Sequence, residues 1–362
     1  MKVIILHQTV AQHDAIGNDI EKMYEIMREI GNECYVFANN CLNPNVNYID
    51  KKNTELLIKE KDNFLIYHHS VYWEEGEHLL DVAECRFVIR YHNITPENFF
   101  RAYNEFHFQQ CSLGREQTKR FQKKYPNCMW LCDSEFNGQD LSEINRNNIF
   151  ICPPFHKIDE WKNCTPDSAI LNELIDSENI NLLFVGRIAP NKGHISLIEI
   201  LKIYLLNYKR NAKLRIIGKF DEQIKGYNEK LVNLIKYYGL EDNIEFIGEV
   251  TDSTLMSYYL GSDFFVCTSE HEGFCVPILE AQNFYLPILA FSVCAITETC
   301  GQGAVLLEDN LKEYAAAIHL MYENSRFINH YTKLGNDNYK ARFSYLKIKQ
   351  IFLDFCGMFM KG

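Results

Sequence analysis

"SDFFVCTSEHEGFCVPILEA", residues 262–281, begins as an apolar strand, turns through Gly273 and enters a helix at Pro277. Proline suits the first turn of a helix because the N–H it lacks would have no partner there. Two carboxylates flank the turn, separated by seven residues: Glu272 in the loop and Glu280 in the first turn of the helix. Gly273 lets the backbone bend sharply or come close to a ligand, and the free N–H groups of a helix start attract an anion such as phosphate. Carboxylates beside a phosphate would repel it, so they must serve another part of the ligand. Sugar hydroxyls suit them, because a carboxylate accepts two hydrogen bonds from a vicinal diol and charge-assisted bonds are the stronger kind. A diphosphate between two sugars calls for two such acids, which describes a nucleotide-sugar. The plainer alternative is that Glu280 simply favours a helix start and Glu272 is solvated.

The same strand–loop–helix alternation extends in both directions. "KVIIL" (2–6), "NFLIYHH" (63–69), "CRFVIRYHN" (85–93) and "NCMWLCDSEFN" (127–137) read as buried strands separated by helical patterns. The segment between "KVIIL" and the next strand reads as a glycine-bearing loop followed by a helix to about Ile30. The pattern lapses at "FICPPFHKIDEWKNCTPDS" (150–168), where three prolines mark a linker. It restarts with "NLLFVGR" (181–187), "AKLRIIG" (212–218), "NIEFIG" (243–248) and "LPILAF" (286–291), and the last 50 residues read as helices. Strands that are apolar throughout imply parallel sheets covered on both faces. The expectation is two doubly wound, Rossmann-like α/β domains facing a central cleft, with functional residues just after strands. The first spans 1–160, completed by a C-terminal helix of about 340–362; the second spans 165–338.

Length and composition agree with two domains. At about 150 residues each, 362 residues make two, and 47% hydrophobic residues supply two cores. A net charge of −11 argues against a nucleic-acid partner. Thirteen cysteines at irregular spacing, with no C-x-x-C pair, read as apolar thiols of a reducing cytosol. Cys128, Cys132, Cys152 and Cys164 are too loosely spaced for structural zinc. A strand beginning at the first residues leaves no room for a secretory signal, and no apolar run approaches a membrane span.

"LLFVGRIAPNKGH" places Arg187 directly after a strand and Lys192 before a helix, with Gly186 and Gly193 beside them. Two cations there would stabilise a departing diphosphate; otherwise they are ordinary surface charges.

In this order, "FVGRIAPNKG", "LRIIG", "NIEFIGEV", "SDFFVCTSEHEGFCVPILEA", "PILAF" and "ITETCGQGAVLL" resemble the family 4 glycosyltransferases of the GT-B fold. "RYHNITPENFF", "GREQ" and "CDSEFN" look like a subgroup that assembles O-antigen or capsule. The resemblance implies a retaining transferase, moving a hexose-type sugar from a UDP- or GDP-linked donor to a glycan or lipid-linked acceptor. It assigns Glu272 to the donor sugar, Glu280 to the ribose, Arg187 and Lys192 to the diphosphate. The backbone of Gly273, Phe274, Cys275 and Val276 would line phosphate and sugar. His92 would stand near the reaction centre, and Gly17 in a loop facing the diphosphate. Two departures are visible: Cys275 stands where the family often has glycine, and the first loop has one glycine instead of a pair.

No resident cofactor and no metal are expected: no D-x-D triplet occurs, and cationic side chains can do a metal's electrostatic work. The basic stretch "GREQTKRFQKKYP" (114–126) would press a helix against anionic lipid at the inner face of the cytoplasmic membrane, with Phe121 and Tyr125 as anchors. An NAD-dependent oxidoreductase is disfavoured, because "LHQTVAQHDAIGND" lacks G-x-G-x-x-G. A nucleotide-sugar epimerase of the same architecture, or an inactive nucleotide-sugar-binding protein, remain as alternatives.

Overall fold

The computed structural model describes residues 1–12, 14–208 and 210–360. The chain divides into two compact units, one of residues 1–97, 106–157 and 344–362, the other of residues 98–105 and 158–343.

In the first unit the strands are β1 (Lys2–Leu6), β2 (Thr9–Val10), β3 (Glu33–Phe37), β4 (Asn40–Cys41), β5 (Phe64–His69), β6 (Arg86–Tyr91), β7 (Met129–Cys132) and β8 (Ile149–Ile151). Six of them form a parallel sheet in the order β3-β1-β5-β6-β7-β8, and β2 and β4 pair separately. The helices α1 (Ala15–Glu29), α2 (Lys51–Ile58), α3 (Glu74–Val82), α4 (Glu105–Lys124) and α5 (Glu135–Gln139) connect them. Ile20, Met23 and Met27, spaced by three and four residues, turn one face of α1 onto a core that includes Val3 and Ile5. The Asp14 carboxylate caps that helix by accepting from the Gly17 N–H at 3.2 Å.

The second unit repeats the scheme. Its strands are β9 (Ile180–Val185), β10 (Ala212–Ile217), β11 (Ile244–Gly248), β12 (Phe264–Cys267), β13 (Ile288–Phe291) and β14 (Val305–Leu307). They form a parallel sheet in the order β11-β10-β9-β12-β13-β14. Its helices are α6 (Ser168–Ile175), α7 (His194–Tyr208), α8 (Lys225–Tyr238), α9 (Asp252–Gly261), α10 (Val276–Asn283), α11 (Cys294–Cys300), α12 (Leu311–Tyr322) and α13 (Ser325–Asn338). The central β9 and β12 are interior: Leu183 and Phe265, opposite each other, are both fully buried. In both sheets the strand order reverses beside the first strand, which makes the carboxyl ends there the natural place for a ligand.

The final helix, α14 (Tyr345–Phe359), belongs to the first unit. Its Ile348, Phe352 and Phe355 enter the same cluster as Val3 and Ile5, with Phe352 edge-on to Phe155 at 5.8 Å. Residues 98–105 count with the second unit, a placement that no local pattern announces.

Candidate active site

In the second unit, the loops after β9 and β12 are fastened together by backbone. The Asn191 carbonyl accepts from the N–H groups of Glu270 (2.8 Å) and His271 (3.3 Å). Asn191 Nδ2 donates to the His271 carbonyl at 3.2 Å, and the Thr268 hydroxyl donates to the Gly193 carbonyl at 2.9 Å. Gly193 has φ +68°, and a Cβ there would fall 1.9 Å from the Thr268 carbonyl oxygen, so only glycine allows this approach. Held between these points, Lys192 reaches Glu272, with Nζ 2.6 Å from Oε1. The two side chains are only 21% and 10% exposed. Burial pushes the Lys192 ammonium down, but the Glu272 carboxylate outweighs it and holds the group above its ordinary value.

Glu280 lies in a different environment. Helix α10 starts at Val276, one residue before the proline, so Glu280 is its fifth residue and sits just beyond the first turn. Its Oε2 accepts from the Tyr259 hydroxyl at 2.5 Å. Burial pushes Glu280 up to about 7, against the pull of the Tyr259 hydrogen bond and with some help from Asp252. No side chain caps the start of α10, and Cys275 precedes it at φ +76°, in the left-handed region that favours glycine. Val276 begins the helix, while Phe274 is buried edge-on to Phe343 at 5.5 Å, so Phe274 can offer a ligand only its backbone.

Arg187 follows Gly186 at the end of β9 and is paired with Asp221 at 3.6 Å. Its side chain is 56% exposed, so this cation is available but not pre-positioned as Lys192 is.

In the first unit, His7, His68, His92 and Asp133 stand at the carboxyl ends of the adjacent strands β1, β5, β6 and β7. His92 is almost buried, and both of its nitrogens are engaged: Nδ1 lies 2.9 Å from Asp133 Oδ2, and Nε2 lies 2.9 Å from His68 Nδ1. A carboxylate only accepts, so His92 donates from Nδ1, and with a neutral ring its Nε2 accepts from His68 Nδ1–H. His68 Nε2 is then a bare acceptor, buried and without a hydrogen-bond partner among the described residues. Burial above all, with His92, His7 and Arg90 adding to it, pushes His68 well below its ordinary value.

Under this chain lies Arg90, fully buried. It pairs with Asp19 at 2.9 Å and Asp133 at 2.8 Å, and donates to the Cys152 carbonyl at 2.6 Å. Asp19, His68 and His92 have atoms within 4.8 Å of one another, a spacing that could hold a metal. The donor set argues otherwise. Asp19 Oδ2 is occupied by the Arg90 guanidinium, and the two facing imidazole nitrogens share a hydrogen bond. Bringing a divalent cation beside that guanidinium would be unfavourable.

Two expectations are corrected here. Gly17 lies not in a loop but in the first turn of α1, where a Cβ would meet the Ala11 carbonyl oxygen at 1.9 Å. In the basic stretch 114–126, Phe121 is not available as a membrane anchor. Arg115, Arg120, Lys123 and Lys124 lie within 4.0 Å of Glu97, Glu77, Glu143 and Asp81, and Phe121 is fully buried in the core. Among the described residues no helix is long and apolar enough to cross a membrane. Tyr259, Asn191, Asp19, Arg90, His68 and Asp133 were not singled out from the sequence; Arg90, His68 and Asp133 stand in or beside quoted strands and Tyr259 on helix α9, yet their pairings are between distant residues.

Two doubly wound units with this order of loops define a GT-B glycosyltransferase fold. HepE of Anabaena, solved in complex with UDP and glucose, superposes with a TM-score of 0.77 over 99% of each chain, at 14% identity. Residues 170–341 match the family described as glycosyl transferases group 1, so the second unit carries a domain of that family. An uncharacterized glycosyltransferase of Haemophilus influenzae is 29% identical over 157 residues, 42% of each chain. The capsular polysaccharide biosynthesis glycosyltransferase CapH of Staphylococcus aureus is 22% identical over 189 residues, 52% of each. The chain thus spans about half the length of these curated relatives.

Proposed function

We propose that this chain is a retaining glycosyltransferase of cell-surface polysaccharide assembly. It would move a hexose-type sugar from a UDP- or GDP-linked donor to a glycan or lipid-linked acceptor. The observation that carries the reading is the clasp that sets Lys192 against Glu272 beside the uncapped start of α10. A buried cation, an acid and a helix N-terminus at the carboxyl ends of neighbouring strands suit a sugar diphosphate. The complex of HepE with UDP and glucose favours a uridine donor, and the capsule relative supports the biosynthetic setting.

In this reading Glu272 accepts from donor-sugar hydroxyls, and Glu280 accepts from the ribose. Lys192, Arg187 and the N–H groups at α10 stabilise the diphosphate as its bond to the anomeric carbon breaks. No second carboxylate is assigned beneath the sugar, so a covalent glycosyl intermediate is not invoked. The acceptor oxygen attacks from the face the diphosphate leaves, and its proton passes to a leaving phosphate oxygen. His92 keeps the part the resemblance implies, orienting the sugar, with Asp133 and His68 fixing its ring. No metal or resident cofactor enters the scheme, and the site of action is the cytoplasmic side, where nucleotide-sugars are made.

The test is thermal stabilisation by UDP, GDP, ADP and NAD in turn. A ligand at 100 times its dissociation constant adds about 2.7 kcal/mol to stability. A shift with UDP or GDP that Lys192→Ala abolishes supports the proposal, whereas a shift with NAD alone rejects it.

A further inference from the structure

We infer that Tyr259 is a positioning residue for nucleotide recognition: its hydroxyl holds one oxygen of Glu280 and leaves the other for the ribose diol, so that nucleotide binding expels a proton from Glu280. The inference rests on the assignment of Glu280 to the ribose and goes beyond it in naming what prepares that carboxylate.

Glu272 and Glu280 are stabilised in opposite ways. Glu272 faces an ammonium at 2.6 Å and is kept as a carboxylate. Glu280 has a hydroxyl for its partner at 2.5 Å, and among the described residues no cation pairs with it. Other charged and titratable groups that act here are Asp252, on α9 with Tyr259, and the Cys267 and Cys275 thiols, which act on Tyr259. A half-buried carboxyl without a cation keeps its proton to higher pH, and Glu280 is pushed up to about 7.

Tyr259 has little freedom to serve in any other way. Its ring is 1% exposed and stacked on Phe284 at 5.7 Å and 14°, and Trp161 stacks on Phe284 at 5.7 Å and 22°. The Phe284 N–H in turn donates to the Glu280 carbonyl at 3.2 Å. This aromatic stack is anchored to the backbone of α10 at Glu280 itself, so it fixes the hydroxyl relative to the carboxyl group. With Oε2 taken by Tyr259, a diol must donate both hydrogen bonds to Oε1. That oxygen has two lone pairs to offer only when it carries no proton. Binding therefore converts the carboxylic acid to a carboxylate, and the proton leaves to the buffer.

Calorimetric titration of UDP at pH 7.0 in phosphate and in Tris counts protons, because the two buffers differ in ionisation heat. The terminal phosphate of UDP also titrates, equally for every variant, so the comparison with Glu280→Gln isolates Glu280. Wild-type protein should release roughly half a proton more per UDP than Glu280→Gln at saturation. Tyr259→Phe should bind UDP about 5–10-fold more weakly at pH 8. It should also shift the midpoint of the affinity–pH profile upward, since the lost hydrogen bond favoured the charged form. Thermal melting of the free protein at pH 6 checks that this conservative variant is folded. Equal proton counts in wild type and Glu280→Gln, with both binding UDP, overturn the inference. An unshifted Tyr259→Phe profile also overturns it. Failure of wild-type protein to bind UDP and GDP alike overturns the nucleotide reading, and this inference with it.

Discussion

Lys192 and Glu272 are each nearly enclosed, so neither can lose its partner cheaply. Replacing Lys192 with methionine fills the space but strands the carboxylate, and breaking such a pair from one side costs more than the pair was worth. With Lys192 a fifth exposed, a loss of about 2 kcal/mol is expected, a fall in Tm of roughly 4–8 °C. Affinity for UDP should fall at least tenfold, measurable by calorimetry. Glu280 gives the opposite sign. Its folded-state value, pushed up to about 7, lies above that of the unfolded chain, so the native state holds a proton that the unfolded state has lost. Its contribution to stability is therefore present below the ordinary carboxylate range and declines as pH rises to about 7. Glu280→Gln abolishes that decline: urea unfolding should show the variant more stable than wild type at pH 8 by roughly 2–3 kcal/mol, and little different at pH 4.5. The stabilised variant should also bind nucleotide more weakly while still reaching saturation, a trade expected where a site keeps a partly buried carboxylate for function.

The elements were largely legible because each repeats a local pattern: "NLLFVG" and "SDFFVC" are apolar throughout, and Pro277 marks the start of α10 within a residue. Glu280 falls just beyond the first turn because the helix opens at Val276, one residue before the proline that signals it. Gly17 was read as loop because a glycine in a polar stretch looks like a turn; the Asp14 cap three residues before it is the local signal that extends α1 to include it. The fastening of residues 188–193 to 268–272 had no local signature, since it joins residues about 80 positions apart. Gly193 tests how much of the site depends on that fastening. Gly193→Ala must either push the Thr268 carbonyl away or leave the left-handed region, and both displace Lys192. A loss of about 3 kcal/mol or more in urea unfolding and near-complete loss of transfer activity are expected. Gly226 in α8, whose added Cβ would meet nothing within 4 Å, is the control. Gly226→Ala should stabilise by about 0.5–1 kcal/mol and leave activity unchanged.

The chain passes between its two units at 97/98, 105/106, 157/158 and 343/344, so the first unit is completed by a segment that follows the whole of the second. That completion is energetically substantial. Ile348, Phe352 and Phe355 are fully buried in the cluster built on Val3, Ile5 and Val36, with Cys356 and Met360 beside them. Removing a single buried phenylalanine side chain costs about 3–5 kcal/mol, and whole domains have only about 5–15 kcal/mol to lose. A chain ending at Phe343 should therefore have an unfolded first unit. The second unit loses none of its own residues by that cut, and the Lys192–Glu272 clasp and the Tyr259–Glu280 pair lie wholly within it. The truncated protein should be trimmed by protease to a resistant core of about residues 158–343, which still melts at higher temperature when UDP is added. If instead the whole chain becomes protease-sensitive at once, the second unit depends on the first for its stability. The nucleotide site would then be a property of the complete molecule, although every residue assigned to the diphosphate and ribose comes from one half of it.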